Sequence, residues 1–152
     1  MTDSKLLQQI SKKESDKAAI AAQVIKKPDL LAEIFAGLNA DKASIKYGSD
    51  KVLRLISEKA PAILYPEIGF FVKNLDSDNS FLKWGAIHIL ANLAAVDSEN
   101  KIETIFEKYF APITGSVLIT AANVIKGAAK IARAKPALAE RIAQELLKEE
   151  SG

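Results

Sequence analysis

The feature that most constrains the fold of this chain is an internal repeat. Residues 34–60 align with residues 71–97 at a shift of 37, and a further shift of 35 carries the pattern onto residues 106–131. Apolar residues recur at equivalent positions of the repeats; for example, Leu38 aligns with Leu75. Such a repeat is typical of stacked supersecondary units, because one unit cannot bury its apolar face alone.

Each repeat is predicted to contain two helices. Only seven glycines and five prolines occur in 152 residues, which favours helices over a turn-rich β fold. In the middle repeat, apolar residues have the spacing i, i+4, i+7, i+8, i+11 that is typical of one helical face. These residues are Leu82, Ala86, Ile89, Leu90 and Leu93. The segment DSDNS before them offers capping side chains, and Pro66 predicts a kink or break. The predicted helices cover residues of about 4–12, 15–27, 28–39, 43–59, 61–75, 79–96, 99–110, 114–134 and 136–149.

The repeat resembles those of the HEAT and armadillo-like families over about residues 28–149. The shared features are a length of roughly 35 to 37 residues, paired helices and a proline in the first helix. The resemblance implies an all-α fold, a right-handed α-α superhelix or solenoid of about four helix pairs plus a closing helix. It also implies a role in holding a protein or nucleic-acid partner, without a reaction. With a length of 152 residues, we predict a single repeat domain over 1–152.

The second helices of the repeats predict a groove, since in HEAT-like solenoids these helices line the concave surface. At about 100° per residue, Trp84 and His88 lie opposite the core side of their helix. Ala91 and Ala95 are expected to form a shallow floor beside them. The predicted partner-binding residues are Tyr47, Lys51, Arg54, Trp84, His88, Asn123, Lys126 and Lys130.

Two alternatives stay open for the central residues of this groove. Trp84 either packs between neighbouring repeats or forms contact surface, and His88 is either a hydrogen-bonded helix residue or part of the binding site. Between Glu107 and Glu140 the chain has no acidic residue but several cations. This basic run is either a solvated face or an anion-binding end of the groove.

The residues for catalysis and metal binding are missing. There is no cysteine and only one histidine, which excludes disulfides, thiolate nucleophiles and multi-histidine metal sites. No glycine-rich phosphate loop occurs, and DSDNS lacks the glycine of a calcium loop. The segment NSFLKWGAI resembles part of the DNA alkylation repair glycosylases, but their catalytic aspartate with flanking tryptophans has no counterpart. That resemblance implies nucleic-acid binding at most, so we expect no catalytic residue, metal or cofactor.

The predicted function is a non-catalytic interaction module that binds a protein or peptide. Nucleic-acid backbone binding ranks second because the net charge is only +2. It would use Lys51, Arg54, Lys126, Lys130 and Arg133. A self-associating scaffold is the third alternative, and we expect a monomer or weak homo-oligomer. No signal peptide or membrane span is evident, which predicts a cytoplasmic protein without membrane contact.

Overall fold

The computed structural model describes residues 4–115 and 117–151, with side chains to residue 148. All regular structure in these ranges is helical, without a strand, which confirms the predicted all-α class. The chain divides into two compact units, one ending at Ile63 and the other beginning at Leu64. The right-handed superhelix and the single repeat domain stay predictions.

The helices lie close to their predicted ranges. The first five are α1 (Lys5–Ser11), α2 (Lys17–Lys26), α3 (Leu31–Gly37), α4 (Ala43–Lys59) and α5 (Pro61–Leu64). The others are α6 (Ile68–Asn74), α7 (Ser80–Leu93), α8 (Lys101–Thr104), α9 (Phe106–Phe110), α10 (Leu118–Ala134) and α11 (Ala139–Ser151). Short 3-10 turns occupy Pro28–Leu30, Tyr65–Glu67, Ala94–Val96, Ala111–Thr114 and Pro136–Leu138.

Prolines explain where the long predicted helices are interrupted. The predicted break at Pro66 is confirmed, because α5 ends at Leu64 and a 3-10 turn separates it from α6. The predicted start of a helix at 114 is wrong, since α10 begins at Leu118. There Pro112 lies in a 3-10 turn that the Gly115 N–H closes by donating to the Pro112 carbonyl at 3.0 Å.

In the first unit α4 is the central helix, and α1, α2 and α3 pack against it. The buried side chains include Leu7, Ile10, Ile20, Val24, Ile34, Val52, Leu53 and Ile56. A Cβ at Gly48 would lie 2.5 Å from Cγ2 of Ile10. Gly48 therefore allows α4 and α1 to approach closely. This close approach explains why a glycine occurs in the middle of α4.

Asp50 is an acidic side chain within this apolar surround, only 9% exposed on α4. Burial raises the pKa of Asp50 from 3.8 to about 6, although the charge of Arg54 one turn away opposes the shift. The folded state therefore binds more protons than the unfolded state between these two values. Stability contributed by Asp50 must then fall as pH rises through this window.

Replacing Asp50 by asparagine should stabilise the protein, because the neutral amide avoids the free-energy cost of burying a charged carboxylate. We expect the free energy of unfolding to rise by about 2–3 kcal/mol at pH 7.5 and by about 1 kcal/mol at pH 4.5. Urea unfolding followed by circular dichroism at both pH values measures this. Glu58→Gln, an exposed change on the same helix, is the control and should shift stability by less than about 0.5 kcal/mol. An equal effect of Asp50→Asn at both pH values would contradict the assignment.

In the second unit α7 packs against α6 and α10, while α11 and the turn before α10 pack on α10. The predicted cap is confirmed, since the Asn79 side-chain oxygen accepts the Leu82 N–H at 3.2 Å. The largest buried side chains here include Phe71, Ile87, Ile89, Phe106, Tyr109 and Phe110. In α11 and the turn before it, Leu138 and Ile142 are buried and Leu146 is half-buried, and the role of α11 as the closing helix of a solenoid stays a prediction.

The loop after α7 is held by the buried carboxylate of Asp97. The Tyr65 hydroxyl donates to Asp97 Oδ1 at 2.5 Å. The N–H groups of Lys101 and Ile102 donate to the two carboxylate oxygens at 2.8 and 2.9 Å. Lys135 Nζ lies 3.2 Å from Asp97 Oδ2, so four groups from three parts of the unit converge on one side chain.

This cluster also shifts the ionisation of its members. Burial raises the pKa of Asp97, but the hydrogen bonds from Tyr65, Ile102, Lys101 and Lys135 outweigh it and hold the value below 3.8. For Lys135, burial alone would lower the pKa. The hydrogen bonds of Lys135 to the Glu103 and Asp97 carboxylates outweigh burial, so the pKa of Lys135 is raised. Both groups are therefore charged at neutral pH.

Among residues 4–115 and 117–151, no helix combines the length and apolar character that a membrane crossing requires.

Candidate partner-binding site

Three hydrogen bonds cross between α7 and α10 along one edge of this helix pair. The residues that make them are Trp84, His88 and Asn92 on α7 with Thr120, Asn123 and Lys130 on α10. We call these six residues the polar seam. On α7 they recur every four residues, which places them one above another on a single helical edge.

The closeness of the two helices is what brings the seam residues within bonding distance. Gly127 has no side chain where α10 meets α7, and a Cβ there would lie 3.3 Å from the Ala91 Cβ. The same Cβ would overlap the hydroxyl of Tyr109, which donates to the Ile87 carbonyl at 2.9 Å. Gly127 therefore adds no side chain of its own between α7 and α10, and the Tyr109 hydroxyl occupies the space beside it.

Trp84 packs against a neighbouring helix, and its role as contact surface stays a prediction. Its indole N–H donates to Thr120 Oγ1 at 2.9 Å, so it packs against the next long helix. Its side chain is half-buried, and the ring meets the exposed Phe81 ring edge-on at 5.4 Å. The tryptophan is thus held by α10, and the residue as a whole stays partly exposed.

The other seam bonds place polar groups beside this ring. His88 Nε2 lies 2.8 Å from Asn123 Oδ1, and Lys130 Nζ donates to Asn92 Oδ1 at 2.8 Å. Lys126 is exposed on the same open side of α10. Five of the predicted residues, Trp84, His88, Asn123, Lys126 and Lys130, therefore share one surface of the second unit.

The predicted floor of the groove is wrong for Ala91, which is 2% exposed and buried. Helical spacing indicates the core side of α7 but not the position of the neighbouring helix, and α10 covers Ala91 where Gly127 lies beside it. Ala95 is exposed in the 3-10 turn after α7, and its place in the floor of a groove stays a prediction.

The remaining predicted residues lie in the first unit, on α4. Tyr47 is 37% exposed, Lys51 is exposed and Arg54 is half-buried. Their spacing of four and three residues places them on one face of α4. A single groove shared by all three repeats stays a prediction.

The basic run of the sequence is only partly available for binding. Lys108 pairs with Asp76 at 2.6 Å, and Lys135 pairs with Asp97 and with Glu103 at 2.8 Å. Lys126, Lys130 and Arg133 are exposed on α10, a helix that contains no carboxylate. In the described part of the chain no acidic side chain forms an ion pair with these three.

Sequence reasoning missed three residues of this surface, namely Phe81, Asn92 and Thr120. The helical spacing does contain a signal for two of them, because Phe81 is three residues before Trp84 and Asn92 is four after His88. The repeat shift of 35 pairs Trp84 with Ile119, one residue from its real partner Thr120.

The chemistry available here is recognition by stacking, hydrogen bonding and positive charge. Within the described residues no group of three or more histidine or acidic side chains is placed to hold a metal ion. Comparison with protein-family models, curated proteins and solved structures finds no match to this chain. The surface itself is therefore the basis for a function.

Proposed function

We propose that the protein is a non-catalytic interaction module that binds a protein or peptide over the polar seam and the adjoining cations of α10. The observation that carries this proposal is the position of Trp84, held by Thr120 and still partly accessible. Tryptophan is among the residues that dominate binding energy at interfaces. A ring held before binding loses less conformational entropy when the partner arrives.

The charges on the surface favour a partner that carries carboxylates. Lys126 and Lys130 are exposed on α10. Ile119, in the first turn of the same helix, is also exposed. A mixture of aromatic, aliphatic and basic side chains fits a peptide better than a uniformly charged polymer.

A HEAT-like solenoid and a cytoplasmic location belong to the same proposal. The repeat interpretation is supported by α7 and α10, which are second helices of successive predicted repeats and lie side by side. A reducing compartment is supported by the absence of cysteine from the sequence.

Affinity capture from a native lysate tests this function. The double variant Lys126→Glu, Lys130→Glu should retain at most about one tenth of the partner that the wild type retains, because rim charges would then repel its carboxylates. Trp84→Phe should also weaken capture, since it loses the bond to Thr120 and part of the ring. Lys73→Glu, an exposed change on α6, is the matched control and should capture normally. Equal capture by all four proteins, with unchanged circular dichroism, would refute the proposal.

Nucleic-acid backbone binding is the second candidate, because α10 carries three exposed cations and no carboxylate. A mobility shift with short duplex and single-stranded DNA at about 50 mM salt distinguishes it. Binding through phosphates would weaken steeply with salt, by roughly one logarithmic unit of slope per phosphate contacted. The absence of a shift would remove this candidate and leave the protein-binding proposal intact.

A further inference from the structure

A second surface of α10 faces away from α7 and is apolar. At about 100° per residue it forms a line with spacing i, i+4, i+7 and i+11. Its members are Leu118, Ala122, Ile125 and Ala129. We call these four residues the apolar strip. All are exposed, Leu118 to 81% and Ile125 to 36%. A solvent-facing helix side normally carries polar residues, so a continuous apolar line is a candidate docking surface.

Within the described residues, this side of α10 stays exposed at all four positions of the strip. Thr120 bonds to Trp84 and Gly127 lies beside Ala91 on the side toward α7, and Ala121, Val124 and Ala128 are buried. The strip lies on the remaining arc. It differs from the polar seam by roughly a third of a turn or more around the helix axis.

The shape of the strip suits another helix. From Leu118 to Ala129 it extends over eleven steps, about 16 Å or three helical turns. The two alanines leave low positions between Leu118 and Ile125, into which larger side chains of a facing helix can insert.

The charges beside the strip decide what kind of helix fits. Lys126 and Arg133 are exposed along one side of it, and α10 offers no carboxylate to balance them. Two copies of α10 packed through this strip would bring like charges together, which opposes self-association. A helix with glutamate or aspartate beside its apolar face would complement both the strip and the cations.

We propose that the apolar strip docks an amphipathic helix with acidic flanks, supplied by a protein partner. Like the proposed function, this requires a protein partner, but the strip itself lies on a different face of α10, and Lys126 borders both surfaces. Variants of Trp84 and of Ile125 therefore separate the two proposals.

The test uses the full chain and two synthetic labelled peptides of about 18 residues, a length that can form a helix. One peptide carries leucines at the i, i+4, i+7, i+11 spacing with flanking glutamates, and the other has lysines in place of the glutamates. Fluorescence anisotropy should show saturable binding of the glutamate peptide and at least about tenfold weaker binding of the lysine peptide. Ile125→Glu should lower the affinity for the glutamate peptide by about tenfold or more. Lys126→Ala with Arg133→Ala should weaken it and reduce its salt dependence.

Trp84→Phe should leave this peptide's affinity unchanged. No binding of the glutamate peptide, or equal binding of both peptides, would overturn the inference. Loss of binding in Trp84→Phe would move the peptide to the polar seam, which overturns the inference but not the proposed function. Sedimentation that shows a dimer dissociated by Ile125→Glu would identify a second copy as the occupant and also overturn it.

Discussion

Replacing Asp97 by alanine is expected to lower the free energy of unfolding at pH 7 by about 3–5 kcal/mol. The Asp97 side chain has no solvent exposure, and it accepts hydrogen bonds from the Tyr65 hydroxyl and from the Lys101 and Ile102 N–H groups. Without it, a buried hydroxyl and two N–H groups lose their partner, and Lys135 loses one of its two carboxylates. Chemical denaturation followed by circular dichroism measures the change.

The effect of Asp97→Ala should depend on pH in a defined direction. Because the folded pKa of Asp97 lies below the unfolded value of 3.8, its contribution is complete above that value and is lost as pH falls through the folded pKa. The difference between wild type and variant should therefore shrink below about pH 4. Asp78→Ala, an exposed change in the same unit, is the control and should have little effect at any pH. A loss under about 1 kcal/mol at pH 7 would mean that the carboxylate does not hold the loop.

The second large effect is expected from Gly127→Ala, with a loss of about 2–4 kcal/mol. The new methyl group would overlap the hydroxyl of Tyr109, a fully buried side chain that cannot move aside without losing its bond to the Ile87 carbonyl. Removing that hydroxyl by Tyr109→Phe should recover part of the loss in the double variant, although Tyr109→Phe alone costs about 1 kcal/mol. Thermal or urea unfolding of the four proteins completes the double-mutant cycle.

Gly69→Ala provides the matched control for this substitution. A Cβ at Gly69 would meet no atom within 4 Å, so alanine in α6 should stabilise the protein by about 0.4–1 kcal/mol. If both glycine variants changed stability alike, crowding by the Tyr109 hydroxyl would not be the reason that residue 127 is a glycine.

The helices could be predicted from the sequence because their signals are local. The break at Pro66 and the cap at Asn79 depend on one residue and its nearest neighbours. The apolar spacing in turn places Trp84, His88 and Asn123 on one open side of α7 and α10. For this part of the surface, helical periodicity and the repeat shift were sufficient.

The contacts between helices could not be predicted in the same way, because they depend on packing across long sequence separations. Tyr65 and Asp97 are 32 residues apart in the chain, and no periodic pattern pairs them. The burial of Ala91 depends on how closely α10 approaches, which is determined by Gly127 and the Tyr109 hydroxyl beside it. The polar seam itself became visible only when both of its helices were in place.

The most direct measurement of protein binding at the α7–α10 surface is site-specific photo-crosslinking in the native lysate. A photoreactive amino acid replaces Lys126 in one protein and Lys73 on α6 in another, both at exposed positions. We expect a discrete protein adduct from position 126 that is reduced by Trp84→Phe, and no such adduct from position 73. No protein adduct from position 126, or the same adducts from both positions, would show that partners do not bind at this surface.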